Sequence, residues 1–304
     1  MAWKTSWFDV IGRALPPGDE PGVARAIERL SAAFRAGQDA LGYEDPATRA
    51  AYLWHHLPAH VCDLTALLLD LAELWAERET LALLALGAGP GSEVLALGEA
   101  VTRKREREEE VATRRIEATR VDRVRGWDLS FSPLLAAARE AWAARDPQGQ
   151  DGLQLAAAPE ALPWDVVAGP PSQAVRDAAA RADLVLVPNL LTELPPRGTE
   201  ELPPAAREGL GALLGLARPG SAWLVLDRAG APGAVERIEG LMALAQAGPN
   251  PPRGVHGPRA RQVRCGCALT RRGKELYERV SLPTTRVEDR PARNCHTAWC
   301  ALVW

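Results

Sequence analysis

Leu81-Ala82-Leu83-Leu84-Ala85-Leu86-Gly87-Ala88-Gly89-Pro90-Gly91-Ser92 decides the fold of this chain. An apolar run too short for a globular helix stops in Gly-Ala-Gly-Pro-Gly, and the helix-compatible Ser-Glu-Val-Leu-Ala-Leu follows. That order predicts a strand, a tight glycine turn and a helix start. Glycines supply positive φ angles and let the backbone approach a ligand with no Cβ in between. The helix N-terminus beyond them presents N–H groups without intrahelical partners. Such a turn at a strand's carboxyl end is where open α/β sheets bind nucleotide-like ligands.

The glycine spacing excludes two nucleotide classes. A dinucleotide fingerprint needs Gly-x-Gly-x-x-Gly, and here the glycines run Gly87-x-Gly89-x-Gly91, with Ser92 where the third would fall. A phosphate loop needs Gly-Lys-Ser/Thr, which is absent. Three segments downstream extend the α/β reading. Val121 to Ser130 predicts a short second strand ending at Asp128, and Ser132 to Trp142 predicts the helix after it. Ala182 to Leu194 reads as a buried strand and turn, and Pro219 to Asp227 as a Pro-Gly turn feeding another strand.

The turn resembles motif I of the class I S-adenosylmethionine (SAM)-dependent methyltransferases, and the three later segments follow in that family's order over Leu81–Asp227. The resemblance implies an open, mostly parallel sheet with helices on both faces. It divides the chain into an N-terminal helical region, residues 1–78, and a SAM-binding domain, residues 79–304. By the same resemblance Gly87, Ala88, Gly89 and Gly91 shape the turn at the methionine end of SAM. Asp128 holds the ribose hydroxyls, Leu129 lies beside the adenine, and Asn189 faces the transferring methyl. The third strand is expected at Trp164–Pro171. That stretch departs from the family's acidic residue against the adenine amino group, which leaves adenine to backbone groups.

Composition agrees with a folded enzyme. With 304 residues, 47% hydrophobic and 25% charged, the chain is long and apolar enough to bury a large core. No apolar run approaches the ~20 residues of a membrane span, and the first residues lack the apolar core of a secretory signal. A cytoplasmic location without a membrane partner is the expectation. Residues 20 to 78 carry helical periodicity: Val23 to Ala40, a helix starting at Asp45 and ending near Pro58, and Asp63 to Arg78. Val101 to Arg125 alternates Lys/Arg with Glu and reads as a solvated extension of the first sheet helix.

The methyl acceptor is not written in the sequence. Pro188-Asn189-Leu190-Leu191 replaces the Asp/Asn-Pro-Pro-Tyr of the adenine and glutamine N-methyltransferases, and no cysteine has the setting of a base-C5 nucleophile. Direct in-line transfer remains, in which proximity supplies most of the rate and no catalytic residue is demanded. His55, His56 and His60 in the helical region and Glu193 after the fourth strand are the available bases. Cys265, Cys267, Cys295, His296 and Cys300 are the donor types of zinc or an iron–sulfur cluster. They lack Cys-x2-Cys spacing, so no metal is assigned. Eleven Lys/Arg between Arg253 and Arg293 stand against four acidic residues, a balance that suits RNA phosphates. The order of the Ala51–Ala59 helix, the glycine turn, Gly230-Ala-Pro-Gly233 and the terminal cysteines is similar to the methyltransferase-like assembly factors of the small ribosomal subunit. That resemblance implies one alternative, an RNA-binding ribosome-assembly factor with Cys-bound metal, and an inactive scaffold of the same fold is another. The acceptor is a small molecule or RNA.

Overall fold

A computed structural model describes residues 5–15, 20–35, 42–145, 152–196, 198–229, 231–266 and 292–304. Four helices come first: α1 (Trp7–Ala14), α2 (Glu20–Arg35), α3 (Pro46–His55) and α4 (Leu57–Asp70). Local chemistry sets their starts. The Ser6 hydroxyl accepts the Asp9 N–H to cap α1. The Asp45 carboxylate accepts the Ala47 and Thr48 N–H groups to cap α3, with Pro46 in its first turn. Pro58 does not end a helix. It sits in the first turn of α4, where its missing N–H costs no hydrogen bond. The third predicted helix likewise stops at Asp70, and a short 3-10 turn, Ala72–Leu74, follows.

The sheet then alternates with helices: β1 (Thr80–Leu86), α5 (Ser92–Glu106), β2 (Arg115–Asp122), α6 (Asp128–Ala143), β3 (Gln154–Ala157) and β4 (Leu162–Pro163). After these come α7 (Gln173–Arg181), β5 (Leu184–Pro188), α8 (Pro204–Leu214), β6 (Ala222–Arg228), α9 (Ala234–Ala247), β7 (Gly254–Gly266) and β8 (Ala292–Val303). The spatial order is β3-β2-β1-β5-β6-β8-β7, with β4 also pairing β2. The pairs among β1 to β6 are parallel, and β8 runs antiparallel between β6 and β7. This is the open, doubly wound, mostly parallel α/β sheet that the glycine turn announced.

Strand order reverses at β1. The chain moves outward through β2 to β3, then returns to lay β5 on the other side. Connections therefore diverge above the carboxyl ends of β1 and β5 and leave a crevice there. Period-2 alternation covers both faces of the sheet. Leu81, Leu83, Leu184, Leu186, Leu224 and Leu226 share one core with α1 to α6. Leu84, Val185, Val187, Trp223 and Val225 share another with α7, α8 and α9. The N-terminal helices thus pack into the same core as the sheet helices α5 and α6.

Two strands differ from the sequence reading. β2 occupies Arg115–Asp122, inside the charged stretch, and α5 ends at Glu106. The strand's buried positions include Arg120, whose guanidinium bonds the Asp128 carboxylate and the Pro159 carbonyl and stacks on Phe131. An arginine in a core position, ion-paired to Asp128, hides the strand's alternation. Asp128 consequently lies at the start of α6, six residues past the strand end. The predicted third strand at Trp164–Pro171 is a turn. β3 and β4 pair with β2 only as far as Asp122↔Pro163, and the chain leaves the sheet at Trp164.

Of the cysteine group, Cys267 lies outside the described residues, as does most of the basic stretch. Cys295 and His296 on β8 pair in register with Val263 and Gln262 of β7, and Cys265 with Arg293. Cys300 is buried with a free thiol, and burial pushes its pKa up to about 12. Among the described residues there is no cluster of metal-binding side chains, and no helix is long and apolar enough to cross a membrane.

Candidate functional site

The crevice above β1 and β5 is a cavity walled by the glycine turn, the ends of β2 and β4, and α3. Gly87, Gly89 and Gly91 all have positive φ (+66°, +47° and +87°). The turn closes with the Gly91 N–H donating to the Ala88 carbonyl at 2.7 Å. Gly89 is the position that matters for a ligand, because a Cβ there would meet nothing closer than Trp127, at 3.9 Å. Gly91 has the opposite reason for being glycine: a Cβ would fall 2.5 Å from the Phe131 ring. Helix α5 begins after it without a side-chain cap.

Across the turn stands Asp122, the last residue of β2. Its Oδ2 accepts the Gly89 N–H at 2.7 Å and its Oδ1 accepts the Val124 N–H at 2.7 Å. Burial raises its pKa, against the pull of those two N–H groups. After β4, Asp165 also lines the cavity. Its Oδ1 accepts the Val167 N–H at 3.2 Å, and Arg123 stands 3.8 Å from its Oδ2. The rest of the wall is largely aromatic: Tyr43, Tyr52, Trp127 and Trp164. Tyr43, Tyr52 and Trp127 pack on one another with ring centroids 5.3–5.5 Å apart. The Tyr52 hydroxyl bonds His60 Nδ1 at 2.9 Å. Burial, then the nearby Glu193 carboxylate, holds the Tyr52 pKa well above the usual phenol range.

The far wall is the loop after β5, with Asn189, Leu190 and Glu193 on the cavity. Asn189 has φ +53° and donates its N–H to the Leu226 carbonyl. Buried Asp227 accepts both the N–H and the hydroxyl of Thr192. From α9, the Arg237 guanidinium donates to the carbonyls of Leu191, Leu194, Pro196 and Thr199. Asp227 and Arg237 thus fix a loop whose own regular structure is a single 3-10 turn, Leu191–Glu193.

The predicted site residues separate into two groups. Gly87, Gly89 and Asn189 line the cavity, and Ala88 and Gly91 complete the turn behind it. Asp128 and Leu129 are not on the cavity. Asp128 Oδ1 accepts from Arg120 and from the Ala161 N–H, both at 3.0 Å, and Leu129 is 76% exposed. Asp122 takes the position proposed for Asp128, because β2 ends six residues earlier than expected. The acidic residue that follows the outer strands beside β2 is Asp165, two residues past the end of β4. The signal for Asp122 was present as Arg-Ile-Glu-Ala-Thr-Arg-Val-Asp, an alternating run ending in a carboxylate.

Fold and site together define an α/β protein with a glycine-floored, acid-rimmed crevice at its switch point. No family model matches the chain, and no curated protein does. Among solved structures it is similar to the (4+2)-cyclase SpnF (15% identical, TM-score 0.38, covering 80% of this chain and 81% of that one). It is also similar to magnesium protoporphyrin IX methyltransferase (ChlM) from Synechocystis PCC 6803 with bound SAM (13%, 0.37, 99% and 93%). A third is an O-methyltransferase family protein from Burkholderia thailandensis (18%, 0.29, 72% and 53%). These likenesses are distant, and the fold is defined by the strand order above.

Proposed function

We propose that this chain binds SAM in the crevice and transfers its methyl group in line to an acceptor nucleophile. The observation that carries the reading is the contact between Gly89 and Asp122, which sets a side-chain-free floor against a carboxylate. Asp122 is placed for the ribose hydroxyls, and Asp165 with the Trp164 ring for the adenine. Asn189 and Tyr52 flank the space that remains. Charge separates SAM from the dinucleotides. The cavity presents Asp122, Asp165 and Glu193 against Arg123, a field that repels a pyrophosphate and favours a cation. Aromatic faces add cation–π attraction for a sulfonium.

SAM, when bound, supplies an electrophilic methyl. The chain's share of the chemistry is positioning. The Asp227 and Arg237 anchors hold Asn189 and Glu193 at the cavity, and Tyr52 with its His60 partner offers a hydrogen-bonding route for the acceptor's proton. The acceptor itself is a small molecule or RNA. Calorimetric titration with SAM and with NAD tests the reading. Saturable SAM binding without NAD binding is expected, and NAD binding alone would overturn it.

A further inference from the structure

The ribose and adenine positions proposed above leave one part of the crevice open. It is bounded by the rings of Tyr43, Tyr52 and Trp127 and, on the far wall, by Asn189, Leu190 and Glu193. The ring wall has its own supports. Arg49 of α3 is buried, and its Nη1 donates at 2.8 Å to the carbonyls of both Tyr43 and Glu44. The same guanidinium lies against Gly126, where a Cβ would fall 2.4 Å from it. One arginine thus ties the chain before α3, with Tyr43, to the turn after β2, with Trp127. Tyr52, three residues along α3, packs on both rings. Opposite, Asp227 and Arg237 hold the 3-10 turn that ends in Glu193.

The charges around this space are mostly negative. Among the described residues lining the cavity the acids are Asp122, Asp165 and Glu193, and the cation is Arg123, which faces Asp165 at 3.8 Å. Asp122 accepts backbone N–H groups with both oxygens. Glu193 is the charge felt most at the Tyr52 hydroxyl, ahead of Arg228 of β6, which does not line the cavity. Electron-rich ring faces beside a carboxylate attract a cation and disfavour carboxylates and phosphates. We propose that this space is the acceptor subsite and that it takes an organic amine, bound as its ammonium between the rings and Glu193. This rests on the SAM reading above. For transfer, the nitrogen gives a proton to the Tyr52 oxygen as the Tyr52 hydroxyl proton passes to His60 Nδ1, 2.9 Å away, with His60 in the tautomer that leaves Nδ1 to accept. The lone pair so freed forms the N–C bond to the methyl, and the electrons of the broken C–S bond stay on sulfur. The products are a methylammonium, a neutral thioether and a protonated imidazole.

Titration calorimetry on the full chain saturated with S-adenosylhomocysteine tests this. The probes share one ring and differ in charge: benzylamine (cation), benzyl alcohol (neutral) and benzoate (anion). Benzylamine is expected to bind saturably, about tenfold or more tightly than benzyl alcohol, and benzoate not to bind. A short single-stranded RNA added to the complex should leave the benzylamine affinity unchanged. Glu193→Gln should weaken benzylamine about ten- to a hundredfold, the worth of a charged hydrogen bond. Tyr43→Leu should weaken it about two- to thirtyfold, the range of a cation–π contact. Both variants should still bind S-adenosylhomocysteine, whose thioether has no charge for these groups to attract, and that binding shows that they are folded. Benzyl alcohol or benzoate binding as tightly as benzylamine would overturn the assignment. So would displacement of benzylamine by the RNA, or a benzylamine affinity unaltered in Glu193→Gln. If S-adenosylhomocysteine itself does not bind, the SAM reading fails and this inference with it. If it binds and benzylamine does not, only this inference fails.

Discussion

Helix α5 carries two fully buried glutamates six residues apart, and they live in opposite surroundings. Glu99 accepts from the Thr5 hydroxyl, Arg103 Nε, Arg145 Nη1 and Trp142 Nε1, with distances of 2.7–3.0 Å. It ties α1, α5 and α6 together with every lone-pair direction in use. Glu93, one and a half turns nearer the glycine turn, has no partner. The sequence is almost indifferent to the distinction. One end of the helix buries a carboxylate with its bonding satisfied, and the other buries one whose desolvation goes uncompensated.

Breaking the satisfied end should have the largest effect. Glu99→Ala removes the carboxylate that Arg103 and Arg145 share in the core, and removing one partner of a buried ionic network costs about 3–5 kcal/mol. Denaturant unfolding would read that loss, with SAM affinity of the folded fraction unchanged. A small loss of stability would mean that the two glutamates differ less than their contacts suggest.

The unsatisfied end should show itself through pH. The folded-state pKa of Glu93, about 8, lies above the ordinary value of 4.5. The folded form therefore binds more protons between those values, and the stability linked to this group falls as pH rises from about 4.5 through 8. Glu93→Gln cannot ionise, so its stability should be flatter over that range and exceed wild type by roughly 4 kcal/mol at the upper end. Parallel thermal melts across pH would show the curves diverging; curves that stay parallel would contradict the burial account.

A smaller contrast separates the two aspartates around the β2 end. Asp122→Ala should weaken SAM binding about ten- to a hundredfold, or 1.5–3 kcal/mol. Asp128→Ala should lower stability by unpairing Arg120 and leave the affinity near wild type. Equilibrium binding on both variants decides which carboxylate faces the ligand. The smallest effect concerns the glycines. A Cβ on Gly98 would come within 2.4 Å of the Trp142 ring, so Gly98→Ala should cost about 1–2 kcal/mol through overpacking without touching ligand affinity. Melting temperature and SAM affinity measured together would separate it from a change at Gly89, where the space opens onto the cavity.

Much of the fold could be read from residues whose local pattern and final environment agree. Leu81–Gly91, Ala182–Pro188 and Pro219–Asp227 are apolar runs bounded by glycine or proline, and they became β1, β5 and β6 with their turns. β2 was not, because Arg115, Glu117 and Arg120 make a strand look like a charged helix face until Asp128 and Phe131 show where Arg120 is buried. That single displacement is why the acid at the end of the second strand was expected at Asp128 and is Asp122. β4 has only two residues, too short for any periodicity, so Asp165 was not recognised as its terminal acid. Tyr43, Tyr52 and Arg237 reach the crevice or its supports from distant parts of the chain. Only the packing of the N-terminal helices over the glycine turn, and of α9 behind the β5 loop, reveals them.

The most direct test of the account is a crystal structure of the protein with S-adenosylhomocysteine. The ligand should lie across the switch point, with its ribose hydroxyls on Asp122, its adenine against Asp165 and Trp164, and its amino-acid tail over Gly87–Gly91. Ligand bound elsewhere, or seated there with Asp122 turned away from the sugar, would contradict it.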